Sequence, residues 1–355
     1  MTILRKPAWT GFAFLLLFPL FAAASDKTCW HEALAAEIAA IDNAFAGRIG
    51  VYVRHLGDGK TVHHRTDRDW YLASTIKIPL SIALMQRVEQ GELSLDDELE
   101  LAGSDFIDGS GELLWHEPGM RFSLEELDRR SIRDSDSTAT DMLIRHLGEE
   151  SLNRQVREAM VSEGLGPITT ILQVRYDAYG EIHPRVSDLS NRDFIEIRAA
   201  GDLQARYRRL LEKLTIEADE ARVRTTAEAF ERYYTRGLNS GSLEAVGQLL
   251  ERLARGELLN DAHTRKLLDN MEHITTGDRR IRAGLPEGVR FAHKTGTQIA
   301  RACDIGILNP GHARAAVIVA ACAEGFGQLE QAEQAFAELG RALADVGLAT
   351  PEKTK

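Results

Sequence analysis

Ser74 stands three residues ahead of Lys77 in the stretch Ala73-Ser74-Thr75-Ile76-Lys77. At the start of a helix that spacing sets hydroxyl and ammonium on one face, a turn apart. A serine hydroxyl is almost fully protonated at neutral pH and attacks poorly, so a neighbour has to take its proton. Lysine does this when desolvation or a second cation lowers its pKa. By itself S-x-x-K also describes any solvated helix face. Two later triplets sharpen the reading. Ser135-Asp136-Ser137 falls in a predicted break between helices, where a loop can present a hydroxyl into a cleft, and Lys294-Thr295-Gly296 falls on a predicted strand.

The elements around these residues follow from periodicity and turn chemistry. Leu34, Ile38, Ile41 and Phe45 form a helical stripe over 29–46. Arg48 to His55 alternates, Gly57-Asp58-Gly59 turns, and Lys60 to Arg65 returns as the second arm of a hairpin. Ile78 to Val88 reads as a helix ended by Gly91, which puts Ser74 at a helix N-terminus. Unpaired N–H groups and the helix dipole favour negative charge developing there. Ser123-Leu124-Glu125-Glu126 is a capping box opening a helix toward Ile132, and the next helix runs from Thr138 to Leu147. Val289 to Thr297 reads as an edge strand, in which Lys294 and Gly296 share one face and Thr295 points away. Asp304 to Leu308 and the apolar run Ala313 to Cys322 are two further strands, the second central or well covered. Gln328 to Leu348 is an amphipathic helix suited to packing on the sheet.

With the three motifs in this order, the chain resembles the class A β-lactamases and penicillin-binding proteins, whose signature is S-x-x-K, S-D-N and K-T-G. The likeness extends through Ser135 to Leu143 (SDSTATDML), Thr276 to Pro286 (TGDRRIRAGLP) and Lys294 to Thr297 (KTGT). It implies an α/β (α+β) fold: an antiparallel five-stranded sheet flanked by N- and C-terminal helices and interrupted by an all-α subdomain, roughly residues 74–285. It also implies roles. Ser74 attacks an amide, Lys77 helps deprotonate it, Ser135 passes a proton to the leaving nitrogen, and Asp136 holds the loop in shape. Lys294 meets the substrate carboxylate, with Arg280 or Arg301 as second anchor. Thr295 belongs to the same substrate-binding strand, Gly296 lets substrate approach it, and the N–H groups of Ser74 and Thr297 form an oxyanion hole. No cofactor and no metal are implied. The partner is a small β-lactam or a cell-wall peptide, and a monomer is expected.

Two departures bear on activity. Relatives carry asparagine where this chain has Ser137, and a hydroxyl is shorter and offers one donor where an amide offers two. Relatives also place a water-activating glutamate in an E-x-x-L-N loop after the S-D-N segment, and no such motif occurs in the corresponding region. Ile171 to Ser190 stands there, followed by an added helical segment around 188–224. Glu181, between Gly180 and Pro184, is the best substitute; Asp177 and His183 compete with it, and an ordinary solvated loop acid explains it equally well. With that base the chain is a β-lactamase. Without it, it is a penicillin-binding peptidase or esterase with slow deacylation, or a non-enzymatic sensor that is acylated once.

The whole chain is consistent with an exported globular protein. Arg5 and Lys6 precede the apolar run Gly11 to Ala24, whose Ala22-Ala23-Ala24 end marks a signal peptide over 1–24 and a secreted or periplasmic domain over 25–355. The run is short for a retained anchor. The net charge of −11 becomes −13 without Arg5 and Lys6, which argues against nucleic acid as a partner. Cys29, Cys303 and Cys322 make an odd count. If Leu308 pairs with Ala313 across the Asn309-Pro310-Gly311-His312 turn, Cys303 faces Ile318, so buried thiols are expected rather than a disulfide.

Overall fold

The structure is a computed structural model describing residues 2, 29–312 and 314–351. Apart from Thr2, the signal segment expected over 1–24 lies outside the described residues. The chain opens with α1 (Trp30–Ala44), the hairpin β1 (Arg48–His55) and β2 (Thr61–His64), and the short strand β3 (Asp69–Tyr71). A 3-10 turn, Ala73–Ile76, leads directly into α2 (Lys77–Glu89). The small ribbon β4 (Glu98–Glu100) and β5 (Arg121–Ser123) precedes α3 (Leu124–Arg133), α4 (Ser137–Leu147) and α5 (Glu149–Ala159). Then come α6 (Ile171–Gly180), α7 (Asn191–Ala199), α8 (Leu203–Leu214) and α9 (Thr226–Tyr234). The short β6 (Ser240–Ser242), α10 (Leu243–Ala254), α11 (Asp261–Glu272) and α12 (Ile281–Gly284) close the helical part. The chain finishes with β7 (Phe291–Gln298), β8 (Arg301–Leu308), β9 (Val317–Glu324) and α13 (Leu329–Asp345).

Five strands form one antiparallel sheet in the order β2-β1-β9-β8-β7. Its two faces belong to different cores. Ile49, Val51 and Val53 of β1 and Val317, Val319 and Ala321 of β9 pack with Leu34 and Ile38 of α1 and Phe336 and Leu339 of α13. Ile318, Ala320 and Cys322 point the other way, into a larger core with α2, α4 and α10. β9 is covered on both faces and paired on both edges, so its run of apolar residues needs no alternation. β7 is the edge strand, and its free edge is where the site is built. A third core lies among α6 to α9, around Phe194, Tyr207, Phe230 and Tyr233.

Three details differ from expectation. Leu308 pairs with Val317, so the β8–β9 connection takes in residues 309–316 rather than the four-residue turn alone. That shift puts Cys303 directly opposite Cys322, and the two form a disulfide. Residues 171–180, read as part of a loop region, are the helix α6, begun by Thr170, whose side chain accepts from the N–H of Gln173. The added helical segment expected around 188–224 holds two helices, α7 and α8, separated at Gly201 with φ 109°.

Candidate active site

Ser74 sits in the 3-10 turn, and Lys77 is the first residue of α2. In a 3-10 turn residues i and i+3 eclipse, which stacks the two side chains more directly than an α-helix would. The turn is entered through Ala73 at φ 48°, a left-handed value that non-glycine residues rarely adopt and that clusters at functional sites. Ser74 lines a cavity of ≈ 460 Å³, a size suited to a small-molecule ligand. Lys77, also at its wall, is almost wholly buried. Its Nζ donates to the Ser135 carbonyl at 2.5 Å and lies 3.1 Å from Ser135 Oγ. Burial pushes the Lys77 ammonium down to about 8, against the opposing pull of Asp136 and Asp141. A fraction of Lys77 is therefore neutral near pH 7, with a lone pair to take a proton.

Ser135 is presented on a second left-handed kink, φ 56°, immediately before α4. Asp136 fixes that kink. One carboxylate oxygen caps α4 by accepting from the Ala139 N–H at 2.9 Å, and the other accepts from the Leu113 N–H at 2.9 Å. Ser137 is tied to the same neighbouring loop: its Oγ accepts from the Ser110 N–H at 3.2 Å and its N–H donates to the Ser110 carbonyl. A Cβ on Gly109 would lie 2.0 Å from Ser137 Oγ, so only glycine fits opposite this hydroxyl. Trp115, in the same loop region, is 77% exposed and does not line the cavity.

On β7 the side chains alternate as expected, with Thr295 and Thr297 lining the cavity. Thr295 Oγ1 is 2.7 Å from Thr276 Oγ1, and Thr297 is exposed. Lys294 is fully buried, is not among the lining residues, and donates to the Thr295 carbonyl at 3.0 Å. Burial first, then the charges of Lys77 and Arg280, hold its ammonium well below the usual lysine range. Gly296 is packed against the turn that carries Ser74. A Cβ there would lie 2.4 Å from the Leu72 carbonyl oxygen and 3.1 Å from the Ser74 nitrogen. Its missing side chain lets the Ala73–Ile76 turn press against β7.

The two arginines separate. Arg280 lines the cavity, and its guanidinium donates to the Gly296 carbonyl at 2.9 Å, the Cys303 carbonyl at 2.6 Å and Thr297 Oγ1 at 2.5 Å. Arg301 does not line it; it pairs with Glu231 at 2.7 Å and lies over the Tyr234 ring. Arg301 is therefore withdrawn as a second anchor. Glu181 fares the same way. It follows α6, is paired with Arg236, and lies outside the cavity, as do Asp177 and His183.

Of the region expected to carry the base, 171–190, the start of α6 at Ile171 reaches the cavity. The Asp141 carboxylate accepts from the N–H groups of Ile171 at 2.7 Å and Leu172 at 2.9 Å, pinning the start of α6 to α4. Burial pushes Asp141 up to about 6 in spite of those two donors. Ile171, Val174 and Arg175 then face the cavity from α6, joined by Arg198 of α7, Arg206 of α8, Tyr71, Thr169 and Asn239. Asn239, at φ 50°, braces this wall by accepting from the Thr169 N–H at 3.0 Å and donating to the Tyr233 hydroxyl at 3.2 Å. None of these was visible as a site residue in the sequence, because no short motif contains them. Among the described lining residues the single carboxylate is Glu333 of α13, which pairs with Arg279 at 3.2 Å. Among the described residues no group of three or more His, Cys, Asp and Glu side chains is placed to hold a metal ion.

Known proteins share this fold. A model of the beta-lactamase enzyme family matches residues 33–346. Beta-lactamase L2 of Stenotrophomonas maltophilia is 26% identical over 334 residues, 92% of each chain. A beta-lactamase of Rhodobacter capsulatus is 33% identical over 147 residues, which span 41% of this chain and 48% of that one. The crystal structure of a beta-lactamase from Sphaerobacter thermophilus superposes with a TM-score of 0.64 at 25% identity, covering 90% of this chain and 98% of the other. The family match spans every residue that lines the cavity, and this chain belongs to the beta-lactamase enzyme family.

Proposed function

We propose that the protein is an exported serine hydrolase that opens β-lactam amides by forming an acyl-enzyme on Ser74. The observation that carries this reading is the buried Lys77 ammonium, 3.1 Å from Ser135 Oγ and lining the same cavity as Ser74. In the proposed sequence neutral Lys77 takes the Ser74 proton as Oγ attacks the carbonyl carbon. The N–H groups of Ser74 and Thr297 receive the developing oxyanion, an interaction worth about 10²–10³ in rate per donor. The proton passes from Lys77 through Ser135 to the leaving nitrogen as the ring C–N bond breaks, leaving an ester on Ser74. Arg280, which lines the cavity, meets the substrate carboxylate at β7, and Ser137 offers its hydroxyl proton to the substrate amide. Export is supported by the Arg5-Lys6 and apolar leader and by the disulfide, since disulfides persist in oxidising compartments.

Water must then cleave the ester, and none of the residues with which α6 lines the cavity, Ile171, Val174 and Arg175, is a carboxylate. Lys77 is left as the base for this step, so we propose that deacylation is slow relative to acylation. The test is residues 25–355 mixed with a chromogenic cephalosporin. A burst equal to the protein concentration followed by a slow steady rate, both abolished in Ser74→Ala, is the predicted outcome. A burst with no steady rate would instead favour a penicillin-binding role or an acylated sensor. A steady rate without a burst would overturn slow deacylation alone, and the absence of both burst and steady hydrolysis would remove the reading.

A further inference from the structure

The helices α6, α7 and α8 give the cavity a wall with more positive charge than the surrounding protein neutralises. Arg175, Arg198 and Arg206 all line it. One carboxylate serves this group. Asp108 is buried and accepts from Arg175 Nε at 2.6 Å, while its other oxygen is 4.0 Å from Arg198. Arg206 Nε donates to the Gly201 carbonyl at 2.8 Å, which places its guanidinium without cancelling its charge. Arg198, whose side chain is 46% exposed, feels burial first, then the opposed charges of Asp108 and of the two neighbouring guanidiniums, and its pKa falls below the ordinary arginine value. Three guanidiniums against one carboxylate is an arrangement that an anion would relieve. The chain as a whole carries a net charge of −11, so this surplus runs against its overall balance.

We propose that Arg198 and Arg206, with Arg175 held behind them by Asp108, form an anion subsite that selects acyl donors bearing a carboxylate on the acyl side chain, in addition to the carboxylate met by Arg280. Guanidinium groups suit this because their planar N–H forks bind carboxylates in pairs of hydrogen bonds. The subsite is furnished mainly by α7 and α8, outside the three motifs, and explains what that added segment contributes to the cavity. It rests on the proposed reading of Ser74 for the class of substrate, though not for the existence of the binding site.

The test compares benzylpenicillin with α-carboxybenzylpenicillin, which differ by one carboxylate on the acyl side chain. Calorimetric titration into Ser74→Ala removes acylation from the measurement. Binding of the carboxylated compound about tenfold tighter, falling toward parity in Ser74→Ala/Arg198→Ala/Arg206→Ala and partly restored by lysine at both positions, is the expected result. Equal binding, no binding of either compound, or a preference that survives loss of both arginines would overturn the proposal. Intact mass of the unmodified protein with each compound separates the two ideas. Preferential binding without any adduct would retain the subsite and reject acylation at Ser74, whereas an adduct without preference would reject the subsite alone.

Discussion

Lys77 has the properties of a base because the protein buries it next to Ser135 rather than in water. With its pKa brought down to about 8, the neutral form that takes the Ser74 proton grows with pH. The acylation rate should therefore rise about tenfold per pH unit below 8 and level off above it. Stopped-flow acylation between pH 6 and 9 checks this, and a flat profile would exclude Lys77 as the base. Asp136 makes a structural contribution that can be isolated. Asp136→Ala leaves the N–H groups of Ala139 and Leu113 without their partner, so urea denaturation should show a loss of about 1–3 kcal/mol together with slower acylation. Ile171 offers the converse experiment. Ile171→Glu places a carboxylate at the cavity wall and should raise the deacylation rate at least tenfold with a smaller change in acylation. Single-turnover kinetics resolves the two steps.

At the scale of elements, the turn that carries Ser74 is positioned by a strand. Gly296 of β7 is the contact point, since a Cβ there would meet the Leu72 carbonyl oxygen at 2.4 Å. Gly296→Ala should push the Ala73–Ile76 turn off β7 and cut acylation by about two orders of magnitude, with a stability loss of about 1–3 kcal/mol. Normal acylation in that variant would mean the turn is held by other contacts. Such a contact lies between residues more than two hundred positions apart, and this limits what sequence can convey. The hairpin β1–β2, the covered strand β9, the edge strand β7 and the cap at Ser123 were legible, because alternation and capping are local patterns. The cavity wall of α6 to α8 was not. Arg175, Arg198, Arg206 and Asn239 converge only through tertiary packing, and the helix at Ile171–Gly180 has too mixed a pattern to announce its face. Arg280 and Arg301 were indistinguishable as sequence, and geometry divides them: one faces the cavity, the other pairs with Glu231.

At the scale of the whole molecule, two cores share one sheet, and the disulfide between β8 and β9 lies on the face turned to the larger core. The sequence reading missed it because a register error of four residues separates Cys303 from its partner, and register depends on a connection whose length periodicity does not fix. Closing a loop over a separation of 19 residues is worth about 3 kcal/mol in the chain-entropy account. Cys303→Ala/Cys322→Ala should lower stability to urea by about that amount, beyond which Cys303 also loses its contact with the Tyr71 carbonyl beside the cavity. An unchanged denaturation midpoint would show that the bridge adds nothing to the packed sheet.

The central claim is that Ser74 becomes covalently acylated, and intact mass spectrometry of the protein after brief exposure to benzylpenicillin tests it most directly. The predicted result is a gain of one ring-opened benzylpenicillin per chain, located by peptide mapping on Ser74 and absent from Ser74→Ala. An unmodified mass, or an adduct on any other residue, would contradict the account.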